Sequence, residues 1–330
     1  MALYITKMDS IGTMAPVKRI GILPLPGFAI MSYASIVEPL RVANLLARQT
    51  LYEIINITTQ DRIVPSSGSA FIEADAQIED QPALDLLLVI AGDNPAAFAD
   101  THVLNWISRM ARSCPMLGGV SGGPVILVKA GVMAGRRMTV HWEYAETLAE
   151  ISPDLALEQT LFVIDRNRVT CAGGTAPMDM MYALIGQDHG TRFAQLVSDW
   201  FLHTDIRPSG GHQRGGIVDR IGTTNATVLD AVKVMEIHIA DPLTLLQIAS
   251  VTGVSGRQLN RLFSDKLGQS TMGYYRVMRL EKAKNLLRSS SLPLTEIALA
   301  TGFDNSSHFS TTYRKHFGEA PSKSRERIYG

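Results

Sequence analysis

The segment Leu117-Gly118-Gly119-Val120-Ser121-Gly122-Gly123-Pro124 runs an apolar stretch into a glycine-rich turn and then into a helical pattern. A serine on such a turn has the architecture of a nucleophile elbow. Its side chain projects from a strained strand-to-helix turn, and backbone N–H groups at the start of the helix face the same point. The N–H groups of Ser121 and Gly122 would there receive a carboxylate or an oxyanion. His141-Trp142-Glu143 follows another extended apolar stretch, and His141 is the candidate base. A serine hydroxyl is not ionised near neutral pH, so Ser121 would need a base that is itself oriented by a carboxylate. No such partner for His141 can be picked out of the sequence. A glycine-rich turn also serves plain close packing, and a lone histidine is also a structural residue. The segment therefore reads as a binding pocket without a reaction, with no catalytic residue assigned.

A second set of residues suits nucleic acid. Ile248-Ala249-x-x-Thr252-Gly253 recurs 49 residues on as Ile297-Ala298-x-x-Thr301-Gly302. Each copy has a small Ala for a close helix crossing, a Gly for a left-handed turn, and then a second helix with an outward polar face, which is a helix-turn-helix unit. In the first copy Thr244 and Ser255 open capping boxes, and Leu259, Leu262 and Phe263 share the inward face. Arg257, Gln258, Asn260 and Arg261 are left to meet DNA. Arg suits guanine and Asn suits adenine, each such pair discriminating by ~1–3 kcal/mol. In the second copy Phe309, Tyr313 and Phe317 form the buried stripe. Ser306, Ser307, Ser310, Thr311 and Arg314 face outward, a set better fitted to phosphates and thymine methyls than to base edges. A helix over about 271–288 joins the copies. At ~1.5 Å per residue it spans roughly 27 Å, close to the ~34 Å of one DNA turn, so the two units can enter successive major grooves of double-stranded DNA.

The elements that hold these residues follow from hydrophobic pattern. Apolar runs at about 19–24, 52–58, 85–91 and 116–120 alternate with helical patterns such as 33–46 and 96–109, and further runs at 160–165 and 168–171 extend the series. That alternation predicts a doubly wound parallel α/β sheet, with ligands beyond the carboxyl ends of its strands. The chain divides into a tail over 1–17, an α/β domain over 18–205, a linker over 206–223 and an all-α domain over 224–330. In the linker, six of the ten residues from Arg207 to Gly216 are Gly, Pro or Ser. The whole chain has 31 basic and 31 acidic residues. Residues 224–330 hold 14 Lys and Arg against 9 Asp and Glu, a net +5, which leaves −5 for the rest. Only the C-terminal part suits phosphate. Lys7 and Asp9 interrupt the first apolar stretch, so no signal peptide is expected and nothing spans a membrane. Cys114 and Cys171, without CxxC spacing, read as buried residues of a reduced cytoplasm. The eight histidines have no ligand spacing and the glycines form no nucleotide loop, so neither metal nor cofactor is expected.

Residues 224–330 resemble the DNA-binding domain of the AraC/XylS family of transcription regulators. The match includes Ile297-Ala298-x-x-Thr301-Gly302-Phe303 and Phe317-Gly318-x-x-Pro321, with Tyr313 in place of the usual Phe and Ser324 in place of the usual Tyr. Residues 18–205 resemble the DJ-1/PfpI domain, class I glutamine amidotransferase-like and flavodoxin-like, found fused to such tails. The match rests on 86–92, the elbow, and 130–142. Within that group, 31–41, 162–166 and 171–174 resemble the branch regulating glycine betaine, carnitine and arginine catabolism. Catalytic members carry Cys at the elbow and an acid four residues before the Pro, where this chain has Ser121 and Ser35.

The resemblance implies a regulator of the activator class that dimerises through its N-terminal domain, contacts RNA polymerase, and senses a small nitrogen-containing effector. The pocket expected for a zwitterion joins the Ser121 and Gly122 N–H groups and His141 with Glu38 and the rings of Phe28, Tyr33 and Trp142, each ring worth ~0.5–2 kcal/mol to a cation. The plain alternative for Tyr33 and Trp142 is core packing. The competing functions are an active hydrolase or amidotransferase with a DNA-binding tail, and an N-terminal domain that only dimerises.

Overall fold

The computed structural model describes residues 16–290 and 292–329, so most of the tail expected over 1–17, including Lys7 and Asp9, lies outside the described residues. The chain divides into two compact units, with the change from the first to the second at Gly211 and His212.

The first unit is built on strands β1 (Lys18–Pro24), β2 (Tyr52–Thr58), β3 (Ile63–Pro65), β4 (Phe71–Glu73), β5 (Ala76–Gln77), β6 (Leu86–Ala91), β7 (Met116–Ser121), β8 (Arg137–Thr139), β9 (Ala156–Glu158), β10 (Phe162–Asp165) and β11 (Arg168–Cys171). The main sheet has the order β10-β11-β7-β6-β1-β2-β5. β6 is buried throughout, as a central parallel strand covered on both faces must be. Helices α1 (Ile30–Ala47), α2 (Thr101–Ser113), α3 (Gly123–Lys129), α4 (Ala145–Ile151), α5 (Ala176–His189) and α6 (Thr191–Trp200) complete the unit.

The alternating runs thus form the α/β sheet that the sequence predicts, with two local differences. β10 pairs antiparallel with β11. Only Arg166 and Asn167 separate them, too short for the crossover that parallel pairing needs, and Arg166 takes the left-handed turn at φ 58. The helix expected from residue 96 begins only at Thr101. Asp100 caps it, its carboxylate accepting the N–H groups of His102 and Val103.

The second unit contains α7 (Ile217–Ile221), α8 (Ala226–Ile237), α9 (Leu245–Val251), α10 (Gly256–Leu267), α11 (Thr271–Ser289), α12 (Leu294–Ala300), α13 (Ser306–Phe317) and α14 (Pro321–Tyr329). α7 falls within the stretch read as linker. Two separate apolar cores form around α11. Val228, Val232, Ile248, Leu259, Phe263 and Tyr275 make one, and Leu280, Ala283, Leu287, Ile297, Phe309 and Tyr313 the other. No helix among the described residues is long and apolar enough to cross a membrane.

Candidate ligand pocket and nucleic-acid interface

β7 delivers Ser121 to the carboxyl edge of the sheet in a left-handed conformation, φ 60, which a residue with a side chain adopts only at a cost. The turn is held by contact. A Cβ at Gly123 would stand 2.0 Å from the Val89 carbonyl oxygen, and one at Gly173 would stand 2.7 Å from the Ser121 Cβ. The Gly173-Gly174 loop is tied to α1 by two serines. The Gly174 N–H donates to Ser32 Oγ at 3.0 Å, and the Ser35 hydroxyl donates to the Gly174 carbonyl at 3.2 Å. Ser35 is a fastener of this loop.

His141 does reach the elbow. Its backbone N–H donates to the Ser121 carbonyl at 3.3 Å, and its ring lies 5.3 Å from that of Trp142 and 5.8 Å from that of Tyr144. Its Nδ1 accepts the Glu143 N–H at 3.3 Å. Nδ1 also stands 4.0 Å from the Glu143 carboxylate, so both contacts fall on the ring nitrogen that faces Glu143. No thiolate substitutes for the Ser121 hydroxyl. Cys171, fully buried, has its thiol pushed up to about 12 by burial.

Three expectations for the pocket need correction. The Gly122 N–H donates to the Ala91 carbonyl at 2.9 Å, so the sheet edge already uses the donor expected to hold a carboxylate. Glu38 is paired with Arg41 one helical turn on, at 2.7 Å, and that guanidinium holds its carboxyl below the usual range, so its charge is compensated locally. Phe28 is fully buried as a core residue, its ring 5.8 Å from that of Tyr33, whose hydroxyl donates to Asn56 Oδ1 at 2.8 Å. The structure brings Ser121, Gly122, His141 and Trp142 together, and gives Phe28, Tyr33 and Glu38 other partners. The sequence reading passed over Asp93. It follows the end of β6 by two residues, its carboxylate against Gly27, in the left-handed region at φ 48, and partial burial raises its carboxyl pKa. Its signal was hidden in Gly92-Asp93-Asn94-Pro95, which reads as an ordinary turn.

A buried ionic cluster also escaped the sequence. Asp179 on α5 is fully buried and accepts from His203 Nε2 at 3.1 Å, from the Arg207 N–H at 2.8 Å, and from Arg207 Nη2 at 2.6 Å. Arg207 also donates to Thr175 Oγ1, just after the Gly173-Gly174 loop. The chain then runs along the open edge of the sheet, where the Leu161 N–H donates to the carbonyls of Ser209 and Gly211. A cavity of about 720 Å³ lies there, lined by Phe162, Tyr182, Gln195, Ile206 and Arg207 among others.

In the second unit the helix-turn-helix geometry forms twice. Thr244 caps α9 in a full capping box, and Ser255 and Asn305 cap α10 and α13. Leu259, Phe263, Phe309 and Tyr313 are fully buried, so the opposite faces point outward. Arg257, Gln258 and Arg261 are exposed on α10; Ser307, Thr311 and Arg314 are exposed on α13, with Ser306 and Ser310 partly so. Asn260 departs from expectation. Its Oδ1 accepts the Thr271 N–H at 3.1 Å, so it helps to cap α11, and that oxygen is taken. The second turn is one residue longer than the first, which sets Ser307, His308 and Thr311 at the stations of Arg257, Gln258 and Arg261. His308 is exposed there, a position that counting by 49 misses.

An α/β ligand domain whose elbow bears an un-ionised serine, followed by two helix-turn-helix units, defines a DNA-binding regulator rather than an enzyme. Residues 27–187 match the DJ-1/PfpI family, and residues 248–327 match a helix-turn-helix domain. The HTH-type transcriptional regulator GlxA of Rhizobium meliloti is 40% identical over 313 residues, covering 94% of this chain and 96% of that protein. The HTH-type transcriptional regulator CdhR of Pseudomonas aeruginosa is 39% identical over 303 residues, covering 92% and 90%. A crystal structure of an AraC family transcriptional regulator from Pseudomonas putida shares the fold, with TM-score 0.52 at 24% identity over 56% of this chain and 100% of that one. The chain belongs to the AraC-type transcriptional regulators that carry a DJ-1/PfpI ligand-binding domain.

Proposed function

We propose that this regulator reads a specific promoter sequence through α10 and α13, and that a small nitrogen-containing metabolite of the betaine, carnitine or amino-acid class, bound beside Ser121, controls it. The observation that carries the DNA reading is the paired outward faces, with Arg257, Gln258 and Arg261 on the first. α10 reads base edges, while α13 supplies phosphate and methyl contacts through Ser307, Thr311 and Arg314. Arg261→Ala is expected to weaken specific binding by ~1–3 kcal/mol and to relax preference at one base pair, whereas Lys315→Ala, at an exposed basic residue in the last turn of α13, weakens all sequences alike. Gel shifts at fixed salt on a promoter fragment and on random DNA check this. Equal losses on both for Arg261→Ala would sink the readout assignment.

The effector reading rests on the Ser121, His141 and Trp142 neighbourhood and on the acid at Asp93. A cationic head beside Trp142, which is about one-third exposed, would gain cation–π attraction, and Asp93 takes the charge role first given to Glu38. The protein acts in the cytoplasm as a dimer joined through the first unit, and as an activator it contacts RNA polymerase. Calorimetric titration of the full chain with glycine betaine, carnitine, dimethylglycine and arginine tests the ligand class. Sub-millimolar binding of one of them, reduced at least fivefold in Asp93→Asn or Trp142→Ala, is expected. Binding of neutral or anionic metabolites alone would reject it.

A further inference from the structure

The two helix-turn-helix units share one long helix, and α11 changes core partway along its length. Tyr275 is buried in the first core, while Leu280, Ala283 and Leu287 are buried in the second. Arg279 sits at the changeover. Its Nε donates to the Thr301 carbonyl at 2.7 Å and its Nη2 donates to the Gly302 carbonyl, so one planar guanidinium closes the carboxyl end of α12. The same group lies over the Phe303 ring, 4.4 Å from its centroid. A cation there also meets the negative end of the helix dipole.

The turn that Arg279 grips rests on the first half of the unit. Gly302 is left-handed, at φ +73, and a Cβ there would stand 2.7 Å from both the Ile239 carbonyl oxygen and Pro242 Cδ. Tyr275, one helical turn before Arg279, donates its hydroxyl to the His238 carbonyl in the same loop after α8. Loop 238–242, the 301–303 turn and the middle of α11 therefore meet in one joint. Across it the two apolar cores are otherwise separate.

We propose that Arg279 is the positioning residue that fixes the angle between the two halves, so that α10 and α13 read half-sites one DNA turn apart as a single rigid reader. The role needs two donors in a plane and a flat face to lie on the ring, which Arg supplies and Lys does not. Two modules held at a fixed span gain from a high effective concentration at the second half-site, and a loosened joint gives that gain up. Loosening also lets the halves accept altered spacings. This inference rests on the reading that both α10 and α13 enter DNA.

The test uses full-length protein and a duplex enriched by the wild type from a random 40-base-pair pool. Versions have either contacted half scrambled, or two base pairs inserted between the halves. Wild type is expected to lose at least tenfold in affinity on each altered duplex. Arg279→Met is expected to lose 10- to 100-fold on the intact duplex and less than twofold on the duplex retaining only the α10 half, and to tolerate the insertion nearly as well as the intact site. Phe303→Leu, which keeps the donor but removes the ring, and Arg279→Lys are expected to fall between, and they decide the matter if Arg279→Met does not fold. An equal loss on every duplex, with the spacing profile unchanged in shape, would show a merely structural role and overturn the proposal. A wild type indifferent to scrambling one half would instead overturn the two-helix reading beneath it.

Discussion

Phe263→Ala is expected to lower the stability of the DNA-binding unit by about 3–5 kcal/mol, the cost of emptying a fully buried aromatic site that collapses only in part. Phe263 packs in the first core with Val228, Val232, Ile248 and Leu259, and its ring meets that of Tyr274 edge-on at 5.5 Å. Domains of this size are stable by only about 5–15 kcal/mol, so the first helix-turn-helix unit should be partly unfolded at 37 °C and specific DNA binding lost. The tryptophans, Trp106, Trp142 and Trp200, all precede Gly211, so their fluorescence reports the first unit alone. Denaturation should therefore show an earlier loss of helical circular dichroism with an unchanged fluorescence midpoint. A fluorescence midpoint that moved equally would mean that the two units unfold together.

Arg207→Met should damage the other unit. It leaves the Asp179 carboxylate buried with His203 and a single backbone N–H as its remaining partners, where the guanidinium gave Oδ2 two hydrogen bonds. Removing one member of a buried pair costs about 3–5 kcal/mol because the abandoned charge cannot be hydrated. Arg207→Lys, which keeps the charge and loses the planar fork, is expected to cost about half as much. Here the tryptophan fluorescence midpoint should fall while the helical signal of the second unit holds. A loss below about 1 kcal/mol would show that water reaches Asp179 and replaces the guanidinium.

The elbow shows how far residue type and spacing carry an argument. A glycine-rich run after an apolar stretch announces a strand-to-helix turn, and Ser121 does occupy it with a left-handed backbone. His141 was found by its place after a second extended run, and it lies against Ser121. The aromatic and acidic lining was harder. Phe28, Tyr33 and Glu38 sit near one another in sequence, but α1 turns Glu38 to Arg41 and the sheet buries Phe28. Which face of a helix a residue takes follows from period. What else is already there does not.

By itself, the sequence determined the two-part organisation, the α/β and all-α classes, and the pair of helix-turn-helix units. These depend on local signals: hydrophobic period, capping residues and turn glycines, each read within a dozen residues. Only the tertiary structure decided the distant pairings. The Gly122 N–H goes to Ala91 and Asn260 to the start of α11. Arg207 reaches back to Asp179, and Arg279 crosses to the turn of the second unit. A hydrogen bond or ion pair depends on distance and direction in space, and pairs 11 to 31 positions apart leave no mark of that in their spacing. The fold therefore could be read from pattern, while the occupancy of each donor and acceptor waited on the packing that brings them together.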